Sequence, residues 1–317
     1  MTNPKLLLLV LLAVAVFVGL AGYGDFRSVG QRIASFPLLY LSAAAALAAV
    51  NYLLRFIRWT YYLRILKIDI PLQLSLLVFL SGLALSMTPG KVGELVKGYF
   101  LRNRAGVRLA SSIPAIMMER VTDVVAVVLV GLIGLALLPV SVRWVLIVVL
   151  LLCGLSTWFL VSRHNERLLQ LPVLRRWRDE VQLSREGLRS LTALKPIGLA
   201  ISLGVLAWLS EGLAFWLILY GLDLEVSPIQ SLPIYASATV VGAITTLPGG
   251  LIGTEGTMLA LLQQVGVARD GASAATLLVR LVTLWFAIGI GLIALAILNP
   301  NRLLGSLLGS LLGSGKE

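Results

Sequence analysis

The sequence predicts an all-α polytopic membrane protein, built as an inverted-topology repeat with two re-entrant helical hairpins. Composition is the first reason, because 58% of the 317 residues are hydrophobic and only 13% are charged, whereas soluble domains are about a quarter charged. The second reason is that helix breakers follow two short apolar runs, at Pro89-Gly90 and at Pro248-Gly249-Gly250. The third is that these breakers recur in two similar halves of a single membrane domain, residues 1–317.

Apolar runs of membrane-spanning character cover most of the chain. They are 5–22, 37–57, 71–88, 109–138, 144–161, 196–220, 231–247 and 272–298. A helix needs about 20 residues to cross the bilayer, and the third and seventh runs are short for that task. The first run has some features of a signal peptide, but its length and the segments that follow favour a first span. The pattern predicts six full crossings and two hairpins.

The distribution of Lys and Arg sets the predicted orientation. These residues concentrate in three connecting segments, 55–67, 91–108 and 162–195, while 221–234 has neither. Because basic loops stay in the cytoplasm, the first three should be cytoplasmic and the fourth external. The chain between the first two would then enter and leave on the same side, which predicts a re-entrant hairpin rather than a crossing.

A turn at the first breaker would allow such a hairpin. Proline cannot continue a helix and glycine tolerates tight turns, so the chain would enter along 71–87 and return along 92–101. Irregular backbone at this depth must face protein or a wet cavity. A plain span at 71–88 followed by a surface amphipathic helix is the open alternative.

The two halves, 37–138 and 196–298, match at a shift of about 160 residues. The matches place Pro89-Gly90 on Pro248-Gly249, Glu94 on Glu255, and Arg120 on Arg280. The second hairpin, 231–265, would enter from outside, so the repeats should be inverted and both termini cytoplasmic. Transporters of this plan bind their substrate where broken helices meet near the bilayer midplane.

Charged side chains at that depth are the predicted binding residues, since each costs roughly 2.5–3.5 kcal/mol in the bilayer centre. The predicted substrate-binding set is Lys91, Glu94, Glu119, Arg120, Asp123, Glu255 and Arg280. Arg120 and Asp123, three residues apart, share a helix face. The guanidinium groups of Arg120 and Arg280, together with the helix N-termini that follow the breakers, are groups that bind phosphate. The alternative for Glu119 and Asp123 is an ion pair that only holds the hairpins.

Other functional classes find little support. One cysteine, Cys153, and one histidine, His164, cannot form a disulfide or a zinc cluster, and no metal or cofactor is expected. The sequence shows no nucleotide-binding loop and no nucleophile with its base, so no catalytic residue is assigned. Nucleic-acid binding is excluded because the basic residues lie in short loops between spans.

Two further segments have simpler interpretations. Residues 162–195 predict a basic amphipathic helix on the cytoplasmic leaflet, and a docking site there for a synthase or glycosyltransferase is the alternative. Residues 299–317 are of low complexity and predict a loose C-terminal tail.

The chain resembles the flippase-like family that is also named for the lysylphosphatidylglycerol synthase transmembrane region. The resemblance rests on "LRFIRWTYYLRIL" at 54–66, "TPGKVGELVKGYFLRNRAGV" at 88–107, "MMERVTDVV" at 117–125, "LPGGLIGTEGTM" at 247–258 and "LLVRLVTLW" at 277–285. It implies that the family's polar motif positions fall on the seven predicted binding residues. Fused relatives carry a soluble synthase that has no counterpart in this sequence, so a stand-alone membrane domain without synthase activity is expected.

The resemblance also implies a function. The expected activity is flippase-type movement of an anionic, phosphate-bearing lipid across the cytoplasmic membrane, either an aminoacyl-phosphatidylglycerol or a polyprenyl-phosphate-linked lipid. Transport would be downhill or coupled to protons through a carboxylate. Two alternatives remain open: a non-transporting membrane partner of a lipid-modifying enzyme or glycosyltransferase, and an intramembrane enzyme that acts on a lipid phosphate.

Overall fold

Helices account for all the regular structure within residues 4–88, 95–162 and 178–298, the parts of the chain that the computed structural model describes, with side chains from residue 11 onward. The helices are α1 (Pro4–Tyr23), α2 (Phe26–Ala34), α3 (Leu38–Ile65), α4 (Leu72–Ala84), α5 (Val96–Ala105), α6 (Leu109–Leu132), α7 (Val140–Val161), α8 (Arg178–Leu191), α9 (Leu194–Gly221), α10 (Pro228–Ile244), α11 (Gly253–Gln264), α12 (Arg269–Arg280) and α13 (Phe286–Leu298). Short 3-10 turns lie at Leu85–Met87, Leu135–Leu137 and Pro248–Gly250, and a π-helical turn at Leu281–Trp285 joins α12 to α13. The all-α prediction is confirmed.

Four helical stretches in the described residues are long and apolar enough to cross a membrane. They are α3, α7, α9 and the continuous stretch Arg269–Leu298, and a fifth follows if α1 and α2, which meet at a bend of 100°, count as one span. Helix α6 is 24 residues long but carries Glu119, Arg120 and Asp123 near its middle. The chain is a multi-pass membrane protein, and the count of six crossings stays a prediction.

Helix α3 extends well beyond the predicted apolar run 37–57 and ends at Ile65. The expectation of a cytoplasmic loop over 55–67 is therefore wrong. Its physical reason is that Arg58 is completely buried and Arg55 is 9% exposed, so these charges face protein groups instead of water. The expected basic loop over 91–108 is likewise interrupted by a helix, α5.

Helices α3 and α9, each 28 residues long, pack against each other in antiparallel directions. The contacts that show the direction are Tyr40 with Tyr220, Asn51 with Ala207, and Arg58 with Gly204. Small residues at the interface let the two backbones approach closely. Because α4 follows the end of α3 and α10 follows the end of α9, the two short helices start at opposite ends of the bundle.

The second hairpin is formed by α10 and α11, which pack side by side. A capping box between Ser227 and Gln230 begins α10. The helix ends at Ile244, and the chain then turns through Pro248–Gly250, where Gly249 and Gly250 have φ angles of 63° and 68°. Glycine adopts these left-handed values without steric cost, which is why the break falls here.

The first hairpin has a corresponding layout. Helix α4 leads into the 3-10 turn Leu85–Met87, and α5 then packs back against α4. The predicted turn itself, Pro89-Gly90, lies outside the described residues. The 3-10 turn Leu85–Met87 contacts the tip of the second hairpin, and a Cβ placed on Gly249 would lie 3.6 Å from Met87 Cγ. The described end of the first hairpin's entering limb therefore lies against that tip, while an inverted repeat in a bilayer stays a prediction.

Helix α8 is the described part of the predicted amphipathic segment 162–195. It packs on the start of α6, where Ser184 Oγ donates a hydrogen bond of 2.8 Å to the carbonyl of Ala110. That carbonyl lies four residues before Pro114, whose ring cannot supply the usual helical N–H. Ser184 therefore replaces the missing donor and fastens α8 to α6.

Candidate functional site

Asp123, on α6, lies within a cluster of guanidinium groups. Arg58 Nη2 donates to Asp123 Oδ1 at 2.5 Å, and Arg55 Nη2 donates to Oδ2 at 3.0 Å. Arg120 Nη2 lies 3.4 Å from the same Oδ2, from one turn earlier on α6. The shared helix face predicted for Arg120 and Asp123 thus brings them into contact, and α3 adds two further arginines.

Three guanidinium groups surround one carboxylate in this cluster. Arg55, Arg58 and Arg120 all approach Asp123 to within 3.4 Å. The side chains of Arg58 and Asp123 are 0% and 6% exposed, whereas Arg120 is 28% exposed. Buried charge is costly unless other charges balance it. Arg120 is the most exposed side chain of the four.

A cavity of about 370 Å³ lies against this cluster. Arg120 and Asp123 contribute its polar wall, and Ser86 and Gly249 from the two hairpin tips close one side. Much of the remaining wall is apolar, with Val124, Val127 and Val149 among its residues. The volume is at the lower end of the range for small-molecule sites, and the mixture of one charged wall with apolar walls suits an amphiphilic ligand.

A smaller cavity of about 110 Å³ adjoins the first. Trp208, Thr239 and the tip glycines line both cavities. The smaller one has Arg55, Glu211 and Arg280 in its wall, and the Tyr235 hydroxyl donates to Glu211 Oε2 at 3.0 Å. The two cavities form one region between the halves of the chain, with charged side chains from both halves around it.

Arg280, at the end of α12, contacts the tip of the second hairpin. Its Nε lies 2.6 Å from Glu255 Oε1, and its Nη2 donates to the carbonyl of Gly249 at 2.6 Å. Glu255 is in the first turn of α11 and is 1% exposed. The guanidinium group is therefore bound to protein groups on two of its nitrogens.

Lys97 and Glu119 form a separate, buried ion pair between α5 and α6. The Lys97 ammonium donates to Glu119 Oε2 at 2.8 Å and lies 5.1 Å and 5.0 Å from the ring centres of Trp59 and Phe79. Neither partner lines the two cavities described above. This geometry favours the structural alternative for Glu119, and its role as a ligand residue stays a prediction.

The predicted site residues divide into three groups. Those that line the adjoining cavities are Arg120, Asp123, Arg280, Gly249 and Gly250. Those packed behind the walls are Glu119, Glu255 and the buried turn residue Pro248. Those outside the described residues are Pro89, Gly90, Lys91 and Glu94.

Arg55, Arg58 and Lys97 belong to the polar core but were missed, because sequence analysis assigned them to loops. A signal was present: Asn51, Arg55, Arg58 and Tyr62 recur at the three-to-four-residue spacing of one helix face. Reading that spacing as a helical face would have placed both arginines inside the bundle.

No group of three or more His, Cys, Asp or Glu side chains that could hold a metal lies within residues 4–88, 95–162 and 178–298. The chemistry available at the cavities is that of guanidinium groups, carboxylates and hydroxyls. Such groups bind anions by charge and by hydrogen bonds.

Residues 8–291 match the family described as lysylphosphatidylglycerol synthase TM region. The chain belongs to this family. The match runs through both hairpins and both cavities, so the fold and the candidate site lie within the family's shared region.

Curated relatives in archaea carry only a general name. A UPF0104 membrane protein of Methanocaldococcus jannaschii is 25% identical over 229 residues, which cover 69% of this chain and 95% of the relative. A UPF0104 membrane protein of Methanothermobacter thermautotrophicus is 23% identical over 319 residues, which cover 92% and 94%. The similarity extends over nearly the full length of these relatives.

Proposed function

We propose that this protein is a lipid translocator that moves an anionic, phosphate-bearing lipid across the cytoplasmic membrane. The observation that carries the proposal is the guanidinium cluster around Asp123 at the wall of the larger cavity. Arg120 is the most exposed member of the cluster and lines the cavity, and Arg binds phosphate through two parallel hydrogen bonds.

The lipid nature of the ligand is supported by the cavity's other walls. Ile244 lines the cavity and is 53% exposed, so the cavity is open at the end of α10. Helix α7, which contributes Val149, is apolar, and all its residues except the buried Leu146 are exposed or half-buried. A headgroup could reach Arg120 while its acyl chains stay in the bilayer. The family's name refers to lysylphosphatidylglycerol, a lipid whose headgroup carries an anionic phosphate beside a cationic lysyl ester.

The hairpins supply a route for movement between leaflets. They start at opposite ends of the bundle, and Leu85–Met87 contacts Pro248–Gly250 beside the site, as expected for transporters that alternate access around a midplane site. Within the described residues, basic side chains concentrate at the end of the bundle where α3 finishes and α6 begins. They are Arg64, Lys67, Arg102, Arg104 and Arg108. By the charge rule for loops, we assign this end to the cytoplasm, together with both termini.

Reconstituted liposomes test the proposal. The purified protein should move headgroup-labelled anionic phospholipid or polyprenyl phosphate between leaflets, measured by loss of label to a membrane-impermeant quencher. Arg120→Ala should slow this by about tenfold or more, because a charge-assisted hydrogen bond contributes ~1.5–3 kcal/mol. Arg120→Lys should retain part of the rate. Arg27→Ala, an exposed arginine on α2, is the matched control.

Three outcomes would contradict the proposal. Equal rates for Arg120→Ala and the control would show that the guanidinium cluster does not bind the moving lipid. Absence of movement for every lipid tested, with folded protein, would favour the non-transporting partner of a synthase or glycosyltransferase. Turnover of the lipid phosphate by pure protein would favour the enzyme alternative.

A further inference from the structure

We infer that Arg280 is a positioning residue that holds the tip of the second hairpin closed beside the Asp123 cluster. This inference adds to the proposed function and rests on it in one respect. The closed tip affects transport only if a lipid binds in the cavities. Sequence analysis gave Arg280 the same ligand role as Arg120. Its contacts differ, since it binds Glu255 and the carbonyl of Gly249, both from the second hairpin.

The tip depends on such a support because its own backbone is strained. Thr246 and Ile252 have φ angles of 53° and 70°, and both are β-branched residues for which positive φ is unfavourable. Strained conformations of this kind persist only where surrounding groups hold them in place. Arg280 supplies that hold, because it contacts the carbonyl of Gly249 at the centre of the turn and Glu255 at the start of the next helix.

A joint lies directly beside Arg280. The π-helical turn Leu281–Trp285 follows it, and Tyr52 donates a hydrogen bond of 2.7 Å to the carbonyl of Thr283 within that turn. Single π-helical turns occur mostly as bulges at functional sites. Rearrangement of this turn would move the Arg280 side chain without unfolding α13. The contacts between Arg280 and the tip can then break and form again.

Release of this tip would open the site. Ser86 and Gly249 line both cavities, and the 3-10 turn Leu85–Met87 touches Pro248–Gly250. Separation of these two turns would remove the wall that the two cavities share. The predicted result is greater water access to the Asp123 cluster when the Arg280 contacts are broken.

Thiol labelling measures this access without any lipid substrate. In a Cys153→Ser background, Ser86→Cys reports on the tip contact and Leu146→Cys reports on the core, where Leu146 is completely buried. Arg280→Ala should increase the rate at which a water-soluble thiol reagent modifies position 86 by about tenfold, which corresponds to ~1.4 kcal/mol. Position 146 should stay unreactive.

Milder variants keep the test decisive if Arg280→Ala does not fold. Glu255→Gln removes the ion pair with Arg280. Arg280→Lys keeps the positive charge but lacks the planar guanidinium group that contacts both partners. Each variant should raise the rate of labelling at position 86 by several-fold. The matched control is Asp270→Asn. Asp270 lies on α12, as Arg280 does, but its ion pair of 2.6 Å is with Arg32 on α2. This control should leave labelling unchanged.

Three results would overturn the inference. Unchanged labelling at position 86 in the folded Arg280 and Glu255 variants would show that these contacts do not close the tip. Equal increases at positions 86 and 146 would indicate general loosening. Lost lipid movement with unchanged labelling would return Arg280 to a ligand role and leave the proposed function intact. If no lipid moves at all, the proposed function fails, while labelling still decides whether Arg280 closes the tip.

Discussion

Removal of either member of the Lys97–Glu119 pair should destabilise the protein strongly, and removal of both should not. The ion pair measures 2.8 Å, and its side chains are 2% and 0% exposed. Gly82 makes room for the lysine, since a Cβ at that position would overlap Lys97 Cε. The pair is therefore enclosed by protein, and a charge left behind would be out of contact with bulk solvent.

The expected magnitudes follow from what each substitution leaves in this space. Loss of one partner of a buried ion pair costs about 3–5 kcal/mol. Lys97→Met should lie near the upper end, because Glu119 would be left buried and its Oε1 has no hydrogen-bond partner among the described residues. Glu119→Gln should lie near the lower end, since the aromatic faces of Trp59 and Phe79 continue to stabilise the ammonium.

Equilibrium unfolding in mixed micelles, combined with lipid movement, tests this reasoning. The double variant Lys97→Met/Glu119→Leu should recover most of the stability, because apolar replacement of a whole buried pair is often neutral or favourable. Two results would refute the structural interpretation. One is additive loss in the double variant. The other is a stable double variant that no longer moves lipid, which would restore Glu119 to the binding residues predicted from sequence.

Two further substitutions test the packing that positions the site. Gly242→Ala should separate α10 from α11 and slow lipid movement, because its Cβ would have to overlap the hydroxyl of Thr254; normal stability and transport would contradict this close approach. Ser184→Ala should lower the free energy of unfolding by about 1 kcal/mol, since the carbonyl of Ala110 beside Pro114 would lose its donor. An unfolding midpoint equal to that of wild type would show that α8 is held by other contacts.

Much of the architecture could be predicted from composition and from a few breakers. The second turn appears where Pro248 and the two glycines place it, because these residues cannot continue α10 and can adopt left-handed backbone angles. The ionisable residues of α6 were also found, since charge in an apolar run is costly enough to indicate a role. These signals are local, and each can be recognised without knowledge of the partner elements.

The partners of those charges could not be predicted, because they are set by helix packing. Arg55 and Arg58 follow an apolar run and resemble the basic residues of a loop, yet α3 continues and turns them toward Asp123. The assignment of Lys97 to a loop failed for the same reason. The charge rule for loops assumes that a basic residue is solvated by water. The rule places such a residue at the wrong depth in the bilayer when a carboxylate on another helix binds it instead.

Arg120 and Arg280 match each other in the two halves of the sequence but have different surroundings. Arg120 faces Asp123, which two arginines of α3 also contact, and it lines the larger cavity. Arg280 contacts Glu255 and the carbonyl of Gly249, both from the second hairpin, and its side chain is 9% exposed. A symmetric pair of phosphate ligands would place both arginines in the wall of the larger cavity, whereas only Arg120 of the two lines it. The proposed site is therefore asymmetric: Arg120 would bind the anion, and Arg280 would hold the wall beside it.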